Sequence, residues 1–217
     1  MAGTITALRF QKRRADRVNI YLDERFALAL PALAAANLKR GQYLSDADIS
    51  RLKALDEEEL AHERCLRFLA YRPRSIDEVR RYLRRHAVPE PTIDSVIQRL
   101  IDAHYLDDEA FARSWVAERE RFKPKGILAL RHELRQKGIA GATIDSVLQS
   151  LDAENSAYRA GAARARRLDV LDKHAFRQKL GSYLLRRGYE HEVVWPVVEQ
   201  LWRELHGDSN HLAEHMA

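Results

Sequence analysis

Thr92-Ile93-Asp94-Ser95-Val96 recurs letter for letter, 51 residues later, as Thr143-Ile144-Asp145-Ser146-Val147. The same offset aligns residues 75–100 with residues 126–151 without a gap. A fainter third copy follows at nearly the same spacing, with its apolar positions at Leu180, Leu184, Val194, Val197, Val198 and Leu201. Residues that recur with such a period mostly serve the repeated fold, so the function is expected on the surface of an array.

The chain from residue 56 onward is predicted to be helical, because apolar residues recur at helical spacing and Gly and Pro mark the breaks. Three such segments fit each copy of the repeat. We therefore expect a mainly helical protein whose three tandem three-helix repeats, similar to helix-turn-helix units, form an elongated array. The repeats are predicted at residues 56–106, 107–151 and 152–205, and residues 206–217 are expected to be a disordered polar tail.

Several helix ends can be assigned from capping residues. Thr92 and Thr143 are predicted to cap the third helices of the first two repeats, and Asp107 or Asp108 to cap the first helix of the second. Gly138 is predicted to end the second helix of the second repeat. Gly188 holds the corresponding position in the third.

The N-terminal region, residues 1–55, differs from the rest. Residues 5–10 and 17–22 are rich in β-formers, and residues 26–30 follow a plausible turn, which predicts two or three short antiparallel strands. Pro31 can open a short helix that ends near Gly41. A further helix is expected to start at Ser45, and the first helix of the repeats to occupy residues 56–71.

Composition narrows the class of protein. The 217 residues include 37 Lys and Arg against 32 Asp and Glu, which gives a net charge of +5 and a pI near 9.4. This modest excess suits a polyanionic partner.

Cys65 is the single cysteine, so an intrachain disulfide and a thiolate metal cluster are excluded, and we expect it to be packed as a small hydrophobe. No leader-like segment or apolar run long enough to span a bilayer is evident, which predicts a cytoplasmic protein.

Basic residues coincide with the repeat on the second helices, on the faces opposite the apolar stripes. Because side chains three and four apart share a helical face, each repeat is expected to present a cationic strip that could follow a phosphate backbone or an acidic groove. The alternative is a solvated face paired with Asp77, Glu78 and Glu133. The candidate residues are Arg80, Arg81, Arg84 and Arg85 in the first repeat, Lys123, Lys125, Arg131, Arg135 and Lys137 in the second, and Arg177, Lys179, Arg186 and Arg187 in the third.

Enzyme classes are not supported by any motif. The chain has no glycine-rich phosphate loop and no HExxH sequence. His211 and His215 stand at helical spacing but fall in the polar tail, and the adjacent acids Asp107 and Asp108 are better explained as helix caps. We therefore predict no catalytic, metal or cofactor site.

Several sequence motifs of this chain resemble those of the RecX family of recombination regulators. They are Arg74-Ser75, Tyr105-Leu106-Asp107-Asp108-Glu109, Phe111-Ala112, Lys123-Pro124-Lys125-Gly126 and Glu133-Leu134-Arg135-Gln136-Lys137-Gly138-Ile139. They occur in the family's order and spacing, and the resemblance covers nearly the whole chain. One departure is His104, which stands where many relatives have Gly before Tyr-Leu, so a left-handed residue there would be strained.

The resemblance implies a non-enzymatic bacterial protein that acts in homologous recombination, DNA repair and the SOS response. Its implied partner is RecA, with binding in the groove of the RecA filament on single-stranded DNA and inhibition of recombinase, ATPase and co-protease activity. We also expect weak binding to duplex DNA, no membrane association and a monomer. The alternative is a stand-alone helix-turn-helix-like DNA-binding protein acting on transcription, although arginine alone does not specify a base sequence.

Overall fold

The computed structural model describes residues 2–207, which form two compact units. The first contains the residues up to Arg74 together with Glu78–Leu106, and the second contains Ser75–Asp77 and the residues from Asp107 onward. The elements in chain order are β1 (Gly3–Phe10), β2 (Arg17–Leu22), β3 (Arg25–Pro31), α1 (Ala32–Ala35), β4 (Tyr43–Leu44), α2 (Asp46–Leu69), α3 (Ile76–Arg85), α4 (Glu90–Asp102), α5 (Asp108–Phe122), α6 (Ile127–Gln136), α7 (Gly141–Leu148), α8 (Ala153–Ala165), α9 (Lys173–Arg186) and α10 (His191–His206). The predicted tail falls almost wholly on residues 208–217, outside the described part.

The expected fold class is confirmed: the described chain is mainly helical, with a small β region at its N-terminal end. The β strands form one antiparallel sheet in the order β3-β2-β1-β4. Side chains alternate between its two faces, and Ile5, Ile20 and Leu30 on one face are fully buried. They pack with Leu44 and Ile49, so α2 covers this face.

Helix α2 differs from the sequence prediction, which placed separate helices near Ser45 and at residues 56–71. One helix of 24 residues runs through both segments, and Ser45 starts it through a capping box with Asp48. The reason is that residues 46–69 contain neither Gly nor Pro, so nothing interrupts the hydrogen-bond ladder. The boundary we placed between residues 55 and 56 therefore falls inside a helix, and the division of the chain into five segments remains a prediction.

Helix α1 is shorter than predicted. It ends at Ala35 instead of near Gly41. Gly41 does adopt a left-handed conformation, with φ of +86°. It lies in the turn that leads into β4, where its amide donates to the carbonyl of Ile5, so its conformation serves the sheet and not a helix end.

The nine predicted repeat helices are present within residues 2–207 as α2–α4, α5–α7 and α8–α10. The recurring apolar positions are buried as the period predicts, because each third helix turns the same face inward. Ile93, Ile144 and Val194 are all fully buried. The cores of the last two repeats centre on Leu130 and Leu134, and on Leu180, Leu184 and Phe176.

Of the two residues predicted as possible caps of α5, one caps the helix, whereas the predicted caps of α4 and α7 are wrong. Asp107 caps α5 by accepting from the amides of Glu109 and Ala110, whereas Asp108 accepts from the amide of Ile76. Thr92 and Thr143 were wrongly predicted as caps. The helices α4 and α7 begin earlier, with Pro89 and Ala140 at the N-cap positions, and a proline in the first turn of α4 is tolerated because that turn lacks amide partners in any case.

The second helices of the three repeats end in left-handed residues at equivalent positions. Gly138 and Gly188 have φ of +78° and +85°, and the first repeat has Ala87 at φ of +55° in the same place. His104 also has a positive φ, of +58°, which confirms the strain expected at this departure from the family pattern. Glycine, which has no Cβ, adopts this conformation freely, whereas any other residue crowds its Cβ against the backbone.

Ala87→Gly is expected to raise the free energy of unfolding of the first unit by about 0.5–1 kcal/mol, since the relief of left-handed strain exceeds the added flexibility of the unfolded chain. Denaturant unfolding followed by far-UV circular dichroism measures it. Ala54→Gly, in the exposed middle of α2, is the control and should be destabilising by about 1 kcal/mol. A loss of stability in Ala87→Gly would contradict the assignment of strain to this position.

Candidate functional site

The arginines of α3 are paired with acids on the next helix. Arg80 Nη1 lies 2.7 Å from Asp94 Oδ1 and 3.3 Å from Glu90 Oε2, and Arg84 Nε lies 2.5 Å from Glu90 Oε1. Both carboxylates belong to α4. The hydrogen bond from Arg84 is the main reason that the pKa of the Glu90 carboxyl falls below its usual value. Much of the charge of this strip is therefore balanced within its own repeat.

The same ion pair recurs in the second repeat. Arg131 bonds to Asp145, and both residues lie 51 positions after Arg80 and Asp94. In each of the first two repeats the pair joins the second helix to the third, α3 to α4 and α6 to α7. The pair therefore belongs to the fold as well as to the basic surface.

The third repeat replaces this ion pair by packing. Gly181 stands in the position of Arg131, and Trp195 in the position of Asp145. A Cβ at Gly181 would lie only 2.5 Å from Trp195 Cζ3, so the ring occupies the space that a side chain would need. Arg177, one turn earlier, lies 5.1 Å from the Trp195 ring centroid and 3.1 Å from Glu199. The third strip thus lacks the arginine that the period would place there.

Glu133 is the acid around which the second repeat gathers its basic residues. Its carboxylate accepts from Trp115 Nε1 at 2.7 Å, from Arg119 Nε at 2.9 Å and from Lys125. Burial raises the pKa of Glu133, but these hydrogen bonds outweigh it, so the net shift is downward. Lys125, a candidate for binding, is therefore neutralised by a half-buried carboxylate.

Two further candidates contact their own unit. Lys137 Nζ lies 4.8 Å from the ring centroid of Trp115 on α5. Arg187 donates to the carbonyl of Pro124 from Nε at 3.0 Å and from Nη2 at 2.8 Å, and its Nη1 lies 2.9 Å from the hydroxyl of Tyr183. These contacts tie the end of α9 to the segment before α6, so Arg187 has a structural task.

Five candidates remain open to solvent. Their side chains are exposed and form no hydrogen bond or ion pair within residues 2–207: Arg85, Lys123, Arg135 and Arg186, together with Lys179 on α9. Arg81 is also exposed. The sequence placed all the candidates on common faces, but it could not show the acids of the neighbouring helix. The one available sign was that Asp94 and Asp145 recur together with the arginines.

Other sites are not evident in the part of the chain that the structure describes. Residues 2–207 contain no group of three or more His, Cys, Asp or Glu side chains placed to hold a metal ion. None of the helices there combines the length and apolarity needed to cross a bilayer. Cys65 is fully buried, which confirms its packing role, and burial raises the pKa of its thiol to about 12, so the reactive thiolate is suppressed.

Sequence profiles of four domains match consecutive segments of the chain. The RecX N-terminal domain matches residues 3–45, and the first, second and third three-helix domains of RecX match residues 61–100, 107–148 and 152–198. Among individual proteins, regulatory protein RecX of Bacillus subtilis (strain 168) is 34% identical over 203 residues, covering 91% of this chain and 76% of that protein. Regulatory protein RecX of Lactobacillus gasseri is 29% identical, covering 91% and 74%.

Solved structures show the same similarity. A crystal structure of regulatory protein RecX superimposes with a TM-score of 0.78 at 26% identity, covering 92% of this chain and all of that one. RecX from Lactobacillus salivarius shares the fold, with a TM-score of 0.63 at 23% identity and coverage of 67% and 97%. The profiles span both compact units, and the identity to the Bacillus protein extends through them. The chain belongs to the RecX family of regulatory proteins.

Proposed function

We propose that this protein is a cytoplasmic modulator of RecA that binds RecA and its filament on single-stranded DNA and inhibits recombinase, ATPase and co-protease activity. The observation that carries the proposal is the run of four RecX domain profiles from residue 3 to residue 198. The proposal includes weak binding to duplex DNA and a monomeric state. It assigns no catalytic step to the protein itself.

The exposed basic residues of the second helices support this function. Arg85, Arg135 and Arg186 occupy the ends of α3, α6 and α9, one in each repeat, and none is balanced by a carboxylate in the described chain. A filament on DNA offers both phosphates and acidic side chains, which exposed guanidinium groups bind through charge-assisted hydrogen bonds. Lys123 adds a fourth exposed charge next to α6. We infer that these four side chains carry more of the partner contact than Arg80 and Arg131.

The decisive experiment measures DNA-dependent ATP hydrolysis by the RecA of the same organism. Adding this protein at or below an equimolar amount should slow hydrolysis, and raising the salt concentration should weaken the effect because phosphate contacts release counterions. An unchanged rate, with both proteins shown to be on the DNA, would refute the proposal. A footprint at one operator that does not depend on RecA would favour the transcription alternative.

Charge reversal at the exposed arginines tests the surface. Arg85→Glu with Arg135→Glu should raise the protein concentration needed for half-inhibition of RecA by about tenfold or more, since each charge-assisted hydrogen bond is worth about 1.5–3 kcal/mol. Far-UV circular dichroism should be unchanged. The control, Arg166→Glu with Arg167→Glu, reverses two exposed charges after α8 and should leave inhibition nearly intact. Equal weakening by both pairs would show that only overall charge matters.

A further inference from the structure

The net charge of the chain is concentrated at its N-terminal end. Residues 1–45 carry eight Lys and Arg against three Asp and Glu, whereas residues 46–217 carry 29 of each. The region of the sheet therefore carries a net charge of +5, whereas the three repeats, residues 56–205, carry 27 Lys and Arg against 25 Asp and Glu. A polyanion is attracted by net charge, so this region is the stronger electrostatic target.

Most of these basic side chains are free to act on a partner. Arg14 bonds to Glu63 and Arg17 to Asp56, and both help to join the sheet to α2. The other six are exposed and form no ion pair in the described residues: Arg9, Lys12, Arg13, Arg25, Lys39 and Arg40. Only Asp23 and Glu24, in the β2–β3 turn, and Asp16 oppose them in this region.

The side of the sheet that faces away from α2 carries aromatic rings. Ala7, Tyr21 and Phe26 pair across β1, β2 and β3, which places them in one row. The rings of Tyr21 and Phe26 meet edge to face at 6.0 Å between centroids, and Phe26 is 59% exposed. On the other edge strand, Tyr43 pairs with Thr4 and is 64% exposed. Aromatic rings left open on a sheet face need a partner that benefits from stacking.

Cationic and hydrogen-bonding groups lie beside one of these rings, that of Tyr21. The Arg9 guanidinium lies 5.3 Å from the Tyr21 ring centroid. Arg9, Arg40 and Tyr21 line one shallow groove, together with Thr6, Ala7 and Glu24. The groove is thus lined by two arginines and one acidic residue beside an aromatic ring. This combination of stacking surfaces and positive charge is the one used by proteins that bind single strands without sequence preference.

We propose that this face of the sheet β3-β2-β1-β4 binds single-stranded DNA, with bases stacked on Tyr21 and Phe26 and with phosphates held by Arg9 and Arg40. The choice of single-stranded DNA as ligand rests on the proposed function, whereas the site itself rests on the exposed rings and the local charge. An acidic protein surface would use the arginines but would leave the rings without a stacking partner. The binding is sequence-tolerant, because every base has a π-face.

Fluorescence anisotropy of a labelled oligo-dT strand, with the full-length chain and without RecA, tests the site. Phe26→Ala and the double variant Tyr21→Ala with Phe26→Ala should weaken binding by about 5- to 150-fold for each base that loses its stack. Tyr105→Ala is the matched control, since Tyr105 is 58% exposed but lies outside the sheet. Unchanged affinity in the double variant, or an equal loss in the control, would overturn the proposal.

Because Tyr21 is half-buried, a second pair changes only exposed side chains. Arg9→Gln with Arg40→Gln should weaken binding and reduce the slope of log affinity against log salt by about 1.4, as expected for two phosphate contacts to a single strand. Arg166→Gln with Arg167→Gln is the control and should keep the slope. An unlabelled duplex that competes as well as the single strand would show that stacking is absent and would also overturn the proposal.

The two proposals fail separately. If the sheet variants lose DNA affinity while the wild-type protein does not slow RecA, the sheet site stands and the RecA function falls. If the wild-type protein slows RecA while the sheet variants bind DNA normally, the RecA function stands and the sheet site falls. Both readouts use the same purified chains, so the comparison is direct.

Discussion

Asp56→Ala is expected to lower the free energy of unfolding of the first unit by about 3–5 kcal/mol, because it leaves the buried guanidinium of Arg17 without its counter-charge. Arg17 Nη2 lies 2.7 and 2.9 Å from the two carboxylate oxygens of Asp56 and 3.3 Å from the carbonyl of Ala29. The side chains are only 7% and 19% exposed. The pair joins β2 to α2 across the core.

The guanidinium of Arg17 is also incompletely satisfied, which makes the site sensitive. Its Nη1 is buried without a hydrogen-bond partner in the described residues. Arg17→Met with Asp56→Leu should therefore recover most of the stability lost in Asp56→Ala, since an apolar pair removes both buried charges. Recovery would show that the ion pair adds little net stability and that its main role is to fix how the sheet and α2 are joined.

Denaturant unfolding separates the two units in this experiment. All three tryptophans, Trp115, Trp195 and Trp202, lie in the second unit. The far-UV circular dichroism transition should move to lower denaturant in Asp56→Ala, while the tryptophan fluorescence transition stays in place. Arg14→Ala is the control, because Arg14 also bonds to α2 but is 41% exposed, and it should change little. A fluorescence transition that moved as far would contradict the assignment to the first unit.

The features predicted most accurately from the sequence are those that depend on residues within one helix and recur in each repeat. The burial of Ile93, Ile144 and Val194, the helix ends at Gly138 and Gly188, and a cap at Asp107 or Asp108 all follow from local spacing and from capping chemistry. These features depend on residues a few positions apart, where the pattern is informative.

The errors and omissions come from contacts between elements. The acidic partners of Arg80 and Arg131 lie on the following helix, so the sequence analysis overestimated the unbalanced positive charge of the strips. Helix α2 was wrongly divided, although residues 46–69 contain no Gly or Pro that would interrupt it. The N-terminal charge excess can be counted in the sequence. Its proposed role in binding, however, depends on the sheet register that places Tyr21 beside Phe26. Register is fixed by the fold.

Gly126→Ala should lower the free energy of unfolding of the second unit by about 3 kcal/mol, the upper end of the usual effect of overpacking. A Cβ at Gly126 would overlap the carbonyl of Gly188 and the amide nitrogen of Tyr189. Both are backbone atoms, so they cannot move aside as a flexible side chain does. Relief requires the start of α6 to withdraw from the end of α9.

That withdrawal would break contacts that stabilise both helix ends. The amides of Gly126 and Leu128 donate to the carbonyls of Arg187 and Gly188 at 3.0 and 3.1 Å. The first amides of α6 and the carbonyls that follow α9 have no partners within their own helices, so they bond to each other. The positive end of the α6 dipole also meets the negative end of the α9 dipole. A single methyl group at Gly126 therefore removes hydrogen bonds as well as packing.

Tryptophan fluorescence during urea unfolding measures the effect, since the tryptophans report on this unit. Gly141→Ala is the control: it lies at the first position of α7, and a Cβ there meets nothing within 4 Å. It should leave stability unchanged or raise it by up to about 1 kcal/mol. If Gly126→Ala were as stable as Gly141→Ala, the close backbone approach between the second and third repeats could not be essential. If it is destabilised as expected, an assay of the proposed inhibition of RecA by this variant tests whether those two repeats must act as one surface.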